Sequence, residues 1–126
     1  MPQFLLKKNV PLSMLTTFKV GGVVRYLAEV KNKSELISSV DFADERGLPI
    51  FVLGGGSDIL ISDNKFQGVV IKYLGKDITF KTERQNIYVT SGAGAVWDDL
   101  VKTTVDKNLQ GIECMSGIPG TVGSSP

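Results

Sequence analysis

Histidine is absent from this chain of 126 residues, and cysteine occurs once, at Cys114. A Ser-His-Asp triad, a Cys-His pair and a His-ligated zinc site are therefore impossible within it. A single cysteine cannot form an internal disulfide bond, which is typical of proteins of the reducing cytoplasm. Because neither a base nor a cationic helix start stands near Cys114 in the sequence, we expect a buried, unreactive thiol.

Long apolar runs and an excess of one charge are missing too. No run approaches the roughly 18 apolar residues that a membrane span needs, and the first residues lack the pattern of a secretory signal. The 14 basic residues are matched by 13 acidic ones, so we expect no nucleic-acid partner held by a basic field. No nucleophile-base pair and no metal-ligand spacing is recognisable, so the sequence predicts neither a catalytic residue nor a metal site.

The first half of the chain predicts a βαβ unit. Val24–Val30 is rich in β-branched and aromatic residues, as expected for a strand. Asn32 and Glu35 have the spacing of a helix capping box, and Gly47 stands where that helix should end. Pro49–Leu53 is an unbroken apolar run, typical of a strand covered on both faces. Because a helix connects the two strands, they should be parallel.

The second half predicts an antiparallel arrangement. A strand at Gly68–Tyr73 is followed by a hairpin signal between residues 78 and 91. Ala95–Lys107 has the apolar spacing of a helix, with Trp97 on the stripe that faces the core and acidic residues on the solvated surface. This change of pattern predicts a subdomain boundary near residues 64–68.

Glycine is present in excess, since 14 of the 126 residues are glycine, about 11% against a usual share of about 7%. Three glycines open the segment Gly54–Asp58, directly after a predicted strand. Glycines allow successive backbone N–H groups to surround an anion such as a pyrophosphate, although an ordinary tight turn explains the pattern equally well. Asp58 would repel a phosphate unless it faces away or binds a ribose hydroxyl.

Two further glycine-rich segments are candidates for close backbone approach. Gly117–Gly123 contains Pro119, which stiffens a loop that a planar ligand could approach, or that simply connects two elements. Ser91–Gly94 is a strand end built of small residues. A ligand or another backbone could approach there, or the second helix could pack closely on the sheet.

Several motifs in order are more specific than any one glycine loop. They are Thr16–Gly22, Leu53–Leu60, Gly68–Ile71, Gly92–Gly94 with Trp97, Gly111–Glu113 and Gly117–Pro126. Across residues 9–126 this series closely resembles the UDP-N-acetylenolpyruvoylglucosamine reductases, the MurB family of bacterial cell-wall synthesis.

The resemblance implies an α+β fold, the two-part FAD-binding fold of the vanillyl-alcohol-oxidase type. Residues 1–66 would form the small parallel α/β subdomain, and residues 67–126 the first part of the antiparallel α+β subdomain. FAD would lie in the crevice between them. The chain is accordingly expected to be a truncated, N-terminal portion of a longer protein that lacks the C-terminal substrate domain.

The resemblance also implies a set of cofactor-binding residues. The loop that cradles the FAD pyrophosphate in the family corresponds to Leu53, Gly54, Gly55, Gly56, Ser57 and Asp58. The loop nearer the flavin corresponds to Gly117, Ile118, Pro119, Gly120, Gly123 and Ser124. The family usually has Asn where Asp58 stands, and a carboxylate offers no amide donor. The family's serine, arginine and glutamate that act in catalysis lie beyond the segment that matches Ser124–Pro126.

The reaction implied is a two-stage hydride transfer by a cytoplasmic flavoprotein oxidoreductase. In the family, NADPH reduces FAD, and the reduced flavin converts UDP-N-acetylglucosamine enolpyruvate to UDP-N-acetylmuramate for peptidoglycan, cell shape and division. The full-length enzyme would therefore bind a UDP-sugar and NADPH. The 126-residue chain alone should be inactive, should bind FAD weakly or not at all, and should self-associate through exposed sheet edges.

Two other functions remain open from the sequence. One is a stand-alone flavin- or nucleotide-binding module without catalysis. The other is a different FAD-linked oxidoreductase of the same superfamily, such as a sugar oxidase, although many of these attach flavin through His or Cys and the chain has no histidine.

Overall fold

The computed structural model describes residues 3–125, which contain six strands, two α-helices and three short 3-10 turns. The strands are β1 (Leu5–Pro11), β2 (Val23–Val30), β3 (Ile50–Leu53), β4 (Phe66–Tyr73), β5 (Ile78–Glu83) and β6 (Asn86–Ser91). The helices are α1 (Lys33–Asp44) and α2 (Trp97–Asp106), and the 3-10 turns are Leu12–Leu15, Glu113–Met115 and Val122–Ser124. The α+β fold class expected from the sequence is confirmed.

A four-stranded sheet in the order β1-β2-β4-β3 forms the first layer. The strands β2 and β3 both run parallel to β4, so they have the mutual orientation predicted for the βαβ unit, but β4 lies between them. The strand β1, which the sequence patterns do not predict, pairs antiparallel with β2.

Burial differs between the central strand β4 and the edge strand β3. Val69 and Ile71 pack with the cluster under α1, and Val70 packs with the cluster on the opposite face. Ile50–Val52 of β3, in contrast, has exposed side chains. The prediction that β3 is covered on both faces is therefore wrong, because that description fits β4.

The position of β4 also bears on the predicted boundary near residues 64–68. A boundary there assigns β4 to the second subdomain, whereas hydrogen bonding places this strand in the first sheet. The change from parallel to antiparallel pairing falls after Tyr73, in the segment that leads to β5. The division of the chain into two parts of one FAD-binding unit stays a prediction.

The helix α1 begins and ends as the sequence predicts. Asn32 Oδ1 accepts a hydrogen bond from the Glu35 N–H at 2.9 Å, and Glu35 Oε2 accepts one from the Lys31 N–H at 2.8 Å. Together these bonds satisfy two donors at the start of the helix. Gly47 follows the end of the helix with φ 59°, a value that glycine adopts without steric cost.

The hairpin β5–β6 and the helix α2 form the second part, again as predicted. Their core is a cluster of Trp97, Leu100 and Val101, which packs against apolar side chains of both strands and of the following loop. Asn108 ends the helical segment at φ 57°, a left-handed conformation in which Asn is common. Within residues 3–125, no helix is long and apolar enough to cross a membrane.

Candidate functional site

The first glycine loop leaves the carboxyl end of β3 and is fixed by close backbone contact. Gly56 is buried and has φ 75°. A Cβ built on it would lie 2.0 Å from the Leu15 carbonyl oxygen. The Thr17 N–H donates to the Gly56 carbonyl oxygen at 2.9 Å. Only glycine fits this position, and the segment after the first 3-10 turn holds the loop in place.

Free donors are the chemically useful feature of this loop. Within the described residues, the N–H groups of Gly55, Gly56, Ser57 and Asp58 donate no hydrogen bond to another protein group. Consecutive unpaired N–H groups in a glycine-rich turn form a concavity suited to a phosphate or pyrophosphate. The Ser57 hydroxyl adds a donor beside them.

The second glycine loop lies directly against the first. A Cβ on Gly55 would stand 3.2 Å from Gly120 Cα, and a Cβ on Gly54 would stand 2.9 Å from Ser124 Cβ. The two backbones can approach this closely because glycines face one another at the contact. Because glycines have no side chains, the structure can bring together two segments that are more than 60 positions apart in the sequence.

A groove of about 450 Å³ runs between the two loops. Its lining includes nine of the twelve predicted cofactor-binding residues, namely Leu53, Gly54, Gly55, Gly56, Ser57, Asp58, Ile118, Pro119 and Ser124. The other three shape the loop: Gly117 contacts α2, Gly120 packs on Gly55, and Gly123 packs on Ala93. The binding role of each residue stays a prediction.

Apolar residues that the sequence patterns do not assign to the site form one wall of the groove. Phe51 and Val52 of β3 and Ile59 after the loop line it, and Val52 is 66% exposed. The feature of the sequence that could have identified this wall is an apolar run that ends in three glycines. A strand at the edge of a sheet and next to a cleft leaves its side chains uncovered, so they can line a groove. These side chains supply a surface for the apolar part of a ligand.

The first turn of α2 holds the second loop. The Trp97 N–H donates to the Gly120 carbonyl oxygen at 3.0 Å, and Trp97 Nε1 donates to the Met115 carbonyl oxygen at 2.8 Å. Asp98 Oδ1 accepts from the Ser116 hydroxyl at 2.7 Å and from the Gly117 N–H at 2.8 Å. The sequence predicts Asp98 as solvated helix surface, and the structure adds these two contacts to an otherwise exposed side chain.

The carboxylate of Asp98 is stabilised in its charged form by these contacts. The Ser116 hydroxyl, followed by the Gly117 N–H, lowers the pKa of Asp98 below its ordinary value. Both groups are donors, so they favour the ionised carboxylate that accepts from them. Asp98 is therefore ionised at neutral pH and acts only as an acceptor.

The segment Ser91–Gly94 serves backbone packing. A Cβ on Gly92 would lie 2.4 Å from the Gly75 carbonyl oxygen. The Gly123 N–H donates to the Ala93 carbonyl oxygen at 2.9 Å, and Val96 forms an isolated antiparallel bridge with Thr121. These contacts join the segment to other backbone, at Gly75 and Gly123, so of the explanations for its small residues the close approach of another backbone is the one that the structure supports.

Charge is sparse in the groove. Among the described residues that line it, Asp58 is the one charged side chain, and it is exposed. An anion bound here would be held by backbone N–H groups and a hydroxyl, with a carboxylate at the margin. No group of His, Cys, Asp and Glu within residues 3–125 has the arrangement of a metal site.

Cys114 does not fit its prediction. Its side chain is exposed in the 3-10 turn at Glu113–Met115. The apolar contacts of this turn are made by Met115, which packs against the α2 cluster. The turn therefore leaves the thiol facing solvent, and the expectation of a buried thiol is wrong.

The fold and the two-loop groove define a class of cofactor-binding domain. Residues 24–126 match the family model described as "FAD binding domain", and the chain belongs to this family. The groove fits such a cofactor, because it combines unpaired N–H groups, glycines that leave no room for a Cβ, and an apolar wall.

Individual relatives make the similarity more specific. The chain is similar to the UDP-N-acetylenolpyruvoylglucosamine reductases of Cutibacterium acnes (42% identity over 120 residues) and of Thermobifida fusca (39% identity over 120 residues). Each comparison covers 94% of this chain and 32% or 34% of the relative. The chain thus spans about a third of the length of the curated relatives that it matches.

A solved structure agrees with these relatives. The crystal structure of UDP-N-acetylenolpyruvylglucosamine reductase (MurB) from Thermus caldophilus superposes with a TM-score of 0.72 at 28% identity. The superposition covers 95% of this chain and 40% of that one.

Proposed function

We propose that this chain is the FAD-binding part of a cytoplasmic reductase of peptidoglycan synthesis. The complete enzyme would use NADPH, through FAD, to reduce UDP-N-acetylglucosamine enolpyruvate to UDP-N-acetylmuramate. The observation that carries the proposal is the contact of two glycine loops, Gly55 against Gly120, across one groove with unpaired N–H groups. The substrate in this proposal is that of the UDP-N-acetylenolpyruvoylglucosamine reductases to which the chain is similar.

In this proposal the first loop holds the charged part of FAD. The N–H groups of residues 55–58 and the Ser57 hydroxyl donate to the pyrophosphate oxygens, and no lysine or arginine is needed among the lining residues. Asp58 is exposed at the margin of the groove, and in this proposal its carboxylate faces away from the pyrophosphate.

The second loop and β3 hold the apolar part of the cofactor. Ile118 and Pro119 approach the flavin side, and Phe51 and Val52 exclude water from the same groove. FAD, when bound, supplies the hydride-transfer chemistry. The residues of this chain bind and orient it.

Competition between nucleotides tests the binding proposal. We expect weak, saturable binding of FAD to the 126-residue chain, measured by calorimetry, with ADP competing and riboflavin failing to compete. That pattern follows if the pyrophosphate carries most of the recognition. Competition by riboflavin alone, or no FAD binding at any accessible concentration, would contradict the proposed site.

Adding a methyl group at the loop contact sharpens this test. Gly55→Ala places its Cβ 3.2 Å from Gly120 Cα, so the loops must separate by a few tenths of an ångström and FAD affinity should fall. Gly47→Ala is the control away from the groove: a Cβ there meets no described atom within 4 Å, and the cost of its φ of 59° falls on the stability at the end of α1 and not on FAD affinity. Equal affinity in the two variants would count against the two-loop site.

Turnover distinguishes a part of an enzyme from a complete one. We expect no oxidation of NADPH by the UDP-enolpyruvyl sugar with the 126-residue chain and FAD, because the resemblance places the family's proton-donating serine beyond the segment that matches Ser124–Pro126. Robust turnover would overturn this point. A flavin-binding module without any catalytic role and another FAD-linked oxidase are the remaining outcomes, and oxygen consumption with free sugars detects the latter.

We propose in addition that the isolated chain self-associates through β3. This strand ends the four-stranded sheet, so its outer edge has no partner strand within residues 3–125, and Phe51 and Val52 are 40% and 66% exposed. Unpaired edges with apolar side chains favour strand addition. Light scattering at rising concentration should give a mass above that of the monomer, and a monomer throughout would contradict this.

A further inference from the structure

Two contacts with α2 bracket the part of the second loop that lines the groove. At one end the Gly117 N–H donates to Asp98 Oδ1 at 2.8 Å, and at the other the Gly120 carbonyl oxygen accepts from the Trp97 N–H at 3.0 Å. Between these anchors lie Ile118 and Pro119, both of which line the groove. Adjacent residues in the first turn of one helix therefore fix both ends of this short segment.

The segment needs such anchors because its backbone is permissive. Gly117 has φ 84° and Gly120 has φ 112°, and glycine populates many alternatives to these values at little cost. A Cβ on Gly117 would meet no described atom within 4 Å, so crowding does not fix the backbone at Gly117 itself, although Met115 and Ile118 on either side pack against the α2 cluster. At Ser116 and Gly117 themselves, the contacts with α2 are the hydrogen bonds to Asp98.

We propose that Asp98 is a positioning residue of the FAD site, whose carboxylate fixes the Gly117 end of the loop so that Ile118 and Pro119 lie beside Gly55. The Ser116 hydroxyl at 2.7 Å completes the contact, so that one oxygen accepts two donors from consecutive residues. This role rests on the proposed FAD binding, but the loop geometry that it predicts exists without a ligand.

A purely structural explanation is that Asp98 stabilises α2 as an acidic residue in the first turn of a helix. Asp99 shares that turn and that charge, and its side chain makes no hydrogen bond to the second loop within the described residues. The pair Asp98 and Asp99 thus separates helix stabilisation from loop positioning.

The experiment compares the wild type with Asp98→Ala, Asp98→Asn and Asp99→Ala. Amide NMR spectra without ligand report on the loops, and titration with FAD reports on affinity. Asp98→Ala should shift the amide signals of Gly117, Gly120 and Gly55 and weaken FAD binding about fivefold or more, because two charge-assisted hydrogen bonds are lost. Asp98→Asn keeps an acceptor oxygen and should recover part of the loss, whereas Asp99→Ala should change FAD affinity less than about twofold.

The outcomes separate this inference from the proposed function. If the wild type binds no FAD, the proposed function fails, and the ligand-free spectra still decide whether Asp98 sets the loop. Unchanged loop signals in Asp98→Ala, or losses of affinity that are equal in Asp98→Ala and Asp99→Ala, overturn the positioning role even when FAD binds. If Asp98→Ala does not fold, Asp98→Asn against the wild type decides in the same way.

Discussion

The two loops of the groove are both rich in glycine, but different forces hold them. In the first, Gly56 is buried against the carbonyl group of Leu15, and crowding dictates the residue. In the second, Gly117 stands in open space, and a carboxylate from α2 holds its N–H. A glycine in a sequence therefore indicates either a lack of room or a required backbone dihedral, and only the structure distinguishes the two.

Gly56→Ala is the substitution that we expect to have the largest effect on stability. The added Cβ would lie 2.0 Å from a backbone oxygen at a residue with φ 75°, so the segment around Leu15 must move. We expect a loss of about 3 kcal/mol or more in the free energy of unfolding, measured by urea denaturation. A loss of stability no larger than that of Gly117→Ala would show that crowding does not fix the first loop.

Gly117→Ala is the corresponding change in the second loop. Its φ of 84° is unfavourable for alanine, but the methyl group meets no described atom within 4 Å. We expect about 1–2 kcal/mol, the cost of a left-handed dihedral alone. The same urea series measures it, and a loss equal to that of Gly56→Ala would remove the distinction between the loops.

Asp58→Asn tests the charge that distinguishes the first loop from the uncharged second one. The substitution removes a carboxylate from the margin of a groove that we propose for a pyrophosphate and adds an amide donor. FAD affinity should rise about two- to fivefold, the effect of one partly screened charge. Asp44→Asn, at the end of α1, is the control with the same change of charge. Weaker binding by Asp58→Asn alone would instead assign the carboxylate to a ribose hydroxyl.

The smallest expected effect is the pH dependence of the second loop. The Ser116 hydroxyl and then the Gly117 N–H lower the pKa of Asp98 in the folded protein. The carboxylate therefore contributes to stability in full above its unfolded-state pKa, and this contribution is lost as pH falls through the folded-state pKa. In urea denaturation at a series of acidic pH values, the stability difference between wild type and Asp98→Asn should shrink as pH decreases. A difference independent of pH would argue against the contact.

Local sequence signals predict the local structure of this chain well. The pair Asn32 and Glu35 marks the start of α1 because its hydrogen bonds join residues three positions apart. Trp97 marks the buried stripe of α2, because the apolar residues of such a stripe are also only a few positions apart in the sequence. The hairpin β5–β6 likewise needs no information from distant residues.

The arrangement of the first sheet depends on contacts that no short window contains. The apolar runs of β3 and β4 look alike in the sequence, yet β4 is central and β3 is at the edge. Pairing with β2 decides between them, and it joins Leu27 to Val70. The polar strand β1, with Lys7 and Lys8 exposed, has no apolar alternation that would reveal it.

The candidate site also contains features that are visible in the sequence and features that depend on tertiary contacts. Glycine clustering identifies both loops, because the absence of side chains is visible in the sequence. The wall formed by Phe51 and Val52 and the anchor at Asp98 depend on tertiary contacts, the latter between residues 18 and 19 positions apart. An aspartate in the first turn of a helix is equally typical of a solvated surface, so its contact with the second loop has no sequence signal.

The central claim is that the two glycine loops form one FAD site. A titration of the isotope-labelled chain with FAD, followed through its amide NMR signals, tests this directly even when affinity is weak. We expect saturable shifts that are concentrated in residues 54–58 and 117–120 and develop together with a single dissociation constant. Shifts confined to one loop or located elsewhere, or no shifts at the highest soluble FAD concentration, would contradict the claim.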